Sequence, residues 1–222
     1  MSVVVEGDLA DRLARRGVVP VVALEAPDEG VRLAEVLVEA GLPVVEVTFR
    51  TDAAAAAIAA ITARVPEILV GAGTLLTPES VGAAVDAGAA FGVAPGLRAG
   101  VVGAALDRGL PFAPGVATAS EIEQGLALGL DFFKLFPAEA SGGLALLDAF
   151  AGPYANVRFM PTGGIRPDTL AAYRSRSNVA ACGGTWIAPR SLLDEGAYDE
   201  ISRRAVAAVQ AAAPHIFTRK DI

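Results

Sequence analysis

Only one cysteine, Cys182, and one histidine, His215, occur in the 222 residues. No intrachain disulfide is available, and no His/Cys cluster for zinc assembles within one chain. Cys182 reads as a small core residue and His215 as a surface residue of the tail, and neither a metal nor a cofactor is expected. Lysine is nearly missing: of 18 basic residues, only Lys134 and Lys220 are lysines, and arginine does the surface work. Clusters of positive charge are missing as well. With a formal net charge of -7, nucleic acids and anionic membranes are poor partners, because both are held mainly through grouped Lys and Arg. No apolar run reaches the ~18 residues that span a bilayer, and MSVVVEGDLADRLARRG has no charged-then-apolar signal pattern. A cytoplasmic protein is expected. Linkers rich in Pro, Ser and Gly are absent too, so residues 1–222 are expected to form one domain.

What is present is a core-forming composition, 53% hydrophobic, arranged as short β-rich runs alternating with helical patterns. That alternation marks β-α units around a parallel sheet. Strands are expected at 18–23, 43–48, 67–72, 90–94, 111–115, 131–136, 157–161 and 179–183. Helix starts are expected at Asp28, at Thr51-Asp52, at Thr77-Pro78-Glu79 and at Thr118, whose spacing to Glu121 is that of a capping box. Asp168 and Ser191 are further candidate caps. A helix from Leu9 to Arg16 precedes the first strand, and a long one from Ser191 to Ala212 follows the last. Eight strands, each followed by a helix, predict an α/β fold of the (β/α)8 TIM-barrel type with an N-terminal helix. The doubly wound alternative needs a Gly-rich loop after the first strand, where this chain has LEAPDEG.

In such a barrel the site lies at the C-terminal ends of the strands. The sixth strand carries Lys134 in DFFKLFPAEA, on the same face as Phe132 and Phe136. Burial disfavours a charged ammonium, and the neutral amine attacks ketones to form a Schiff base. A lysine snorkelling from a strand end is the bland alternative; the lysine-poor composition and aromatic neighbours favour catalysis. The second strand carries Glu46 in PVVEVTFR, costly inside a parallel strand unless it is paired or used for acid/base work. A structural salt bridge, for instance to Arg50, is an equal alternative. Arg50 lies just past that strand, where its planar fork suits a carboxylate; taken alone it reads more simply as a surface arginine. GAGT, Gly71 to Thr74, brings backbone and a hydroxyl to the rim, and its glycines let the backbone approach a ligand. PTGGI (161–165) and CGGTW (182–186) follow the last two strands, where barrels commonly bind phosphate. There the N–H groups of Gly163, Gly164 and Gly184, the Thr185 hydroxyl and a short helix terminus would hold the anion. Amine, carboxylate, arginine and phosphate cradle together describe an enzyme for a phosphorylated keto acid, using class I aldolase chemistry.

VVPVV, EVTFR, VGAGT, APG, PGVAT, FKLFPAE, VRFMPTGGI and GGTW, in this order along nearly the whole chain, resemble the family of 2-keto-3-deoxy-6-phosphogluconate (KDPG) and 4-hydroxy-2-oxoglutarate (KHG) aldolases. The resemblance implies Lys134 as Schiff-base lysine and Glu46, with a water, as general acid/base. It implies Arg50 and Thr74 on the pyruvoyl carboxylate and Pro95 among the substrate-binding residues. Phe136 would be the pocket wall, Thr162 would contribute to stereochemical control, and Gly163, Gly164 and Thr185 would form the phosphate site. Thr185 stands where serine is usual and keeps the hydroxyl. A homotrimer is implied as well. The galactonate epimer is the nearest alternative substrate, although EVTFR and FPAE fit the gluconate group better. Unphosphorylated 4-hydroxy-2-oxoglutarate as the native substrate is a further alternative, and a barrel isomerase or silent phosphosugar-binding protein is the alternative from a different class.

Overall fold

The computed structural model describes residues 8–212; His215 and Lys220 lie outside them. Strands β1 (Val18–Val22), β2 (Val44–Thr48), β3 (Leu69–Gly73), β4 (Phe91–Val93) and β5 (Phe112–Ala113) are joined by crossover helices. They pair in parallel, each with the next, and β9 (Cys182–Gly184) closes onto the free edge of β1. The remaining strands, β6 (Gly115–Val116), β7 (Phe132–Leu135) and β8 (Arg158–Pro161), form a second parallel ribbon. At one seam β5 and β6 are halves of a single stave interrupted at Pro114, which has no N–H to give to a ladder but still accepts from Lys134 N at 3.0 Å. At the other seam, isolated bridges pair Phe159 with Val179 and Thr162 with Gly183. The eight expected staves are therefore present and complete the barrel, with the fifth broken.

The helices are α1 (Leu9–Ala14), α2 (Pro27–Glu39), α3 (Ala54–Arg64), α4 (Pro78–Asp86), α5 (Ala99–Asp107), α6 (Ala119–Ala127), α7 (Gly143–Ala151), α8 (Pro167–Arg174), α9 (Arg190–Asp194) and α10 (Tyr198–Ala212). Expected caps at Thr77 and Thr118 hold: each accepts from the backbone three residues on, and Glu121 returns a bond to Thr118 N at 2.9 Å. Four others fail. Asp28 lies inside the first turn of α2, behind Pro27, and α3 starts at Ala54 because the Thr51 hydroxyl donates to Leu24 O at 2.5 Å instead of capping. Asp168 is engaged by Arg166, and Ser191 lies within α9, behind Pro189. The single long C-terminal helix expected from Ser191 is two helices, because Gly196 adopts φ 63° between them.

Apolar faces of the helices bury against the outside of the staves. Phe133 points outward, where Gly125 on α6 leaves room for its ring, while its strand neighbours Phe132 and Lys134 point the other way. At the N-terminal ends of the strands, α1 buries Leu9, Ala10 and Leu13 and is tied to β8 by Arg158, which bonds Asp8 and Asp11.

Candidate active site

Period-two alternation on β7 aims Lys134 into the barrel mouth, where it is buried. On β2 the same alternation turns Glu46 inward and buries it completely. The two meet across the interior: Lys134 Nζ donates to Glu46 Oε1 at 2.9 Å and to Oε2 at 3.3 Å. The alternative pairing of Glu46 with Arg50 is thus not formed. Arg50 reaches instead to Thr48, donating from Nε to the Thr48 hydroxyl at 3.0 Å, and that hydroxyl donates to Val22 O at 2.8 Å. The Lys134 ammonium also lies 5.6 Å from the centre of the Phe136 ring.

Two glycines of β3 serve a purpose other than ligand approach. A Cβ at Gly73 would overlap the Glu46 carboxylate, and one at Gly71 would overlap the Phe91 ring. These glycines make room for side chains inside the barrel. Thr74, which follows, is the one non-glycine among the described residues with a left-handed backbone, φ 59°. That conformation is unfavourable for a β-branched residue and is the kind of local strain found at working sites.

Around the ion pair opens a cavity of about 250 Å³. It gathers Glu46, Arg50, Thr74, Pro95, Lys134, Phe136, Thr162, Gly163, Gly164 and Thr185, ten of the eleven residues expected from sequence. Gly184 is the exception. A Cβ there would run into the Trp186 ring, whereas Gly183 lines the cavity and packs on the Thr162 hydroxyl. The period of two explains it, since Gly183 and, one residue past the end of β9, Thr185 face inward and Gly184 outward. Val21, Thr48, Ile165 and Gly183 also line the cavity. Val21 and Thr48 were within reach of the same alternation, because Val21 is in register with Glu46.

At the far rim, Gly163 and Gly164 adopt φ 97° and 87°, a backbone that L residues rarely take. Ala138 N donates to Thr162 O at 2.8 Å and Glu139 N to Gly163 O at 3.0 Å, knitting the segment after β7 to the PTGG turn. Cys182 is fully buried on β9, and burial pushes its thiol up to about 12, which suits a packing role. Among the described residues no three His, Cys, Asp or Glu side chains converge as a metal site, and no helix is long and apolar enough to cross a membrane.

The family model for KDPG and KHG aldolases matches residues 9–204. The chain is 44% identical over 195 residues to the KHG/KDPG aldolase of Escherichia coli K12, covering 88% of this chain and 92% of that protein. Its fold superimposes on the 2-keto-3-deoxy-6-phosphogluconate aldolase of Zymomonas mobilis ZM4, solved with 3-phosphoglycerate, with a TM-score of 0.84 at 40% identity, over 90% of this chain and 95% of that one. It also superimposes on the KDPG aldolase of Legionella pneumophila, captured with pyruvate as a covalent carbinolamine, with a TM-score of 0.88 at 35% identity, over 91% and 98%. A buried lysine–glutamate pair in a barrel mouth and a match along nearly the whole chain lead to one conclusion: the chain belongs to the KDPG and KHG aldolase family.

Proposed function

We propose that this chain is a metal-independent class I aldolase that cleaves 2-keto-3-deoxy-6-phosphogluconate to pyruvate and glyceraldehyde 3-phosphate, and that it also accepts 4-hydroxy-2-oxoglutarate. The observation that carries the reading is the Lys134–Glu46 contact, 2.9 Å long and buried at the base of the cavity. Buried ion pairs are a poor way to stabilise a fold, and this one faces the space where a ligand would sit. The carbinolamine in the Legionella relative supports an amine nucleophile, and the 3-phosphoglycerate in the Zymomonas relative supports a phosphorylated substrate.

Chemistry follows from the pair. A proton passes from the Lys134 ammonium to Glu46, and the neutral amine adds to the C2 carbonyl to give a carbinolamine. Glu46 returns that proton to the departing hydroxyl, so water leaves and an iminium and a carboxylate remain. The carboxylate, directly or through a water, then takes the proton from the C4 hydroxyl. The C3–C4 bond breaks, its electrons flow into the iminium, and glyceraldehyde 3-phosphate departs. Glu46 delivers the proton to C3 of the enamine, and hydrolysis of the iminium frees pyruvate and Lys134. The lysine supplies the electron sink that a metal-dependent aldolase takes from its ion.

Arg50, Thr74, Pro95, Phe136 and Thr162 line the cavity; in this reading Arg50 and Thr74 would hold the pyruvoyl carboxylate, Pro95 and Phe136 would form walls, and Thr162 would stand beside the reacting carbons. Gly163, Gly164 and Thr185 line the cavity, and the N–H groups of the two glycines with the Thr185 hydroxyl would form the phosphate cradle. A single domain and a cytoplasmic setting, as the sequence leads one to expect, and a homotrimer, as the family resemblance implies, complete the proposal. The test is steady-state pyruvate release from KDPG, from its galactonate epimer and from 4-hydroxy-2-oxoglutarate. The highest kcat/KM on KDPG is expected; a higher value on the epimer, or no release from any of the three, contradicts the proposal.

A further inference from the structure

Glu139, the last residue of the FKLFPAE run, lies outside the catalytic cavity, yet it joins three elements. Its own N–H donates to Gly163 O at 3.0 Å. Its aliphatic stem packs under the neighbouring glycine, where a Cβ on Gly164 would come 2.5 Å from Glu139 Cγ and 2.6 Å from Glu139 Cβ. Its carboxylate accepts a hydrogen bond from the Tyr173 hydroxyl of α8. Tyr173 is fully buried and is among the largest side chains in the core. The phenol is held in its protonated, donating form because burial and the Glu139 carboxylate both push its ionisation well up. Gly143, at the start of α7, leaves space for this contact, since a Cβ there would meet the Tyr173 hydroxyl at 2.9 Å.

A phosphate cradle made of backbone N–H groups has no charged side chain with which to correct a misplaced loop. Its affinity depends on how closely the loop is held in the binding geometry before the ligand arrives. Gly163 and Gly164 are the least constrained residues available, with φ values of 97° and 87° that only glycine adopts readily. Something outside the turn must hold it. Its first anchor is the pair of backbone bonds to Ala138 and Glu139. The second is the Glu139 side chain, itself fixed by a hydroxyl rooted in the core. We infer that Glu139 and Tyr173 form a positioning clamp that pre-sets the Gly163–Gly164 turn for the phosphate group of the substrate and thereby determines selectivity for phosphorylated over unphosphorylated keto acids.

The inference rests on the proposed phosphate site, and the experiment separates the two. KM and kcat are measured for KDPG and for unphosphorylated 2-keto-3-deoxygluconate with wild type, Tyr173→Phe, Glu139→Ala and Glu139→Gln. Tyr173→Phe removes one hydroxyl and keeps the ring that fills the core. Because both substrates are compared within one preparation, a partly unfolded sample leaves the ratio of their KM values unchanged. Tyr173→Phe and Glu139→Ala are expected to raise KM for KDPG about ten-fold with kcat within about two-fold, and to leave KM for the unphosphorylated substrate within about two-fold. Glu139→Gln keeps an oxygen that accepts from the phenol and is expected to stay within about two-fold of wild type. Equal losses on both substrates, or no loss on either, overturn the clamp while a phosphate-preferring wild type leaves the phosphate site standing. A wild type that binds both substrates equally well overturns the phosphate site and the clamp with it.

Discussion

The two ends of this barrel pair their charges in opposite ways. At the N-terminal ends of the strands, Arg158 holds Asp8 and Asp11 with N–O distances of 2.6 Å to each, in side chains that remain 31%, 56% and 51% exposed. At the C-terminal ends, Lys134 and Glu46 meet with exposures of 7% and 0%. The exposed network costs little desolvation and fastens α1 to β8, contributing stability of the modest kind typical of solvated pairs. The buried pair loses the hydration of two charges for one contact, an arrangement that hydrophobic residues of similar volume often outperform. The lesson is that the outer network belongs to the scaffold, whereas the inner pair makes sense as chemistry.

Breaking the inner pair has the largest effect on activity. Lys134→Met should lower kcat by about four orders of magnitude or more in the pyruvate-release assay, because no other lysine is present among the described residues to replace the nucleophile. The double variant Lys134→Met/Glu46→Leu should be equally inactive yet melt at or above the wild-type temperature in thermal denaturation. A lower melting temperature would mean that the pair is there for stability. Next comes Gly73→Ala, whose methyl would displace the Glu46 carboxylate. Activity should fall about a hundred-fold while KM changes little, as expected when a reacting group is misplaced by a fraction of an ångström.

Arg50→Lys sharpens the comparison from the rim. The variant keeps the charge but loses both the planar fork and the Nε–H donated to Thr48. KM for KDPG should rise about ten-fold. The outer network gives the smaller response. Arg158→Ala should lower stability by at most ~1 kcal/mol in denaturant titration, given the partial exposure of all three partners, and leave kcat/KM unchanged. Smallest of all, Cys182 should react with a thiol reagent at neutral pH only after unfolding, since burial leaves its thiol at about 12. Rapid labelling of the folded protein would contradict its placement inside the β9 layer.

Much of this was legible in the sequence because strands announce themselves by apolar β-branched runs and because few residue types serve the chemistry. A lysine among phenylalanines and a glutamate among valines are conspicuous, and their inward direction follows from a period of two. Their contact with each other was not legible, since nothing local relates β2 to β7 across the interior; on sequence alone Arg50 was as good a partner for Glu46. The Gly-Gly pair of CGGTW does not by itself distinguish Gly183 from Gly184; the period of two that directs Lys134 inward separates them. The roles of Gly71 and Gly73 were hidden because each depends on a side chain from a neighbouring strand. The break at Pro114 and the division of the C-terminal helix at Gly196 are marked in the sequence by residues that interrupt a ladder or a helix. Four expected caps failed for a related reason: a hydroxyl or carboxylate near a helix start also has tertiary partners, as Thr51 has in Leu24.

The most direct test of the central claim is covalent capture. Folded protein is incubated with pyruvate and borohydride, and the intact mass and the proteolytic peptides are read by mass spectrometry, with Lys134→Met alongside. The account predicts one reduced pyruvate adduct per chain, located on Lys134 and absent from the variant. No adduct in folded wild-type protein, or an adduct that persists in Lys134→Met, would contradict it.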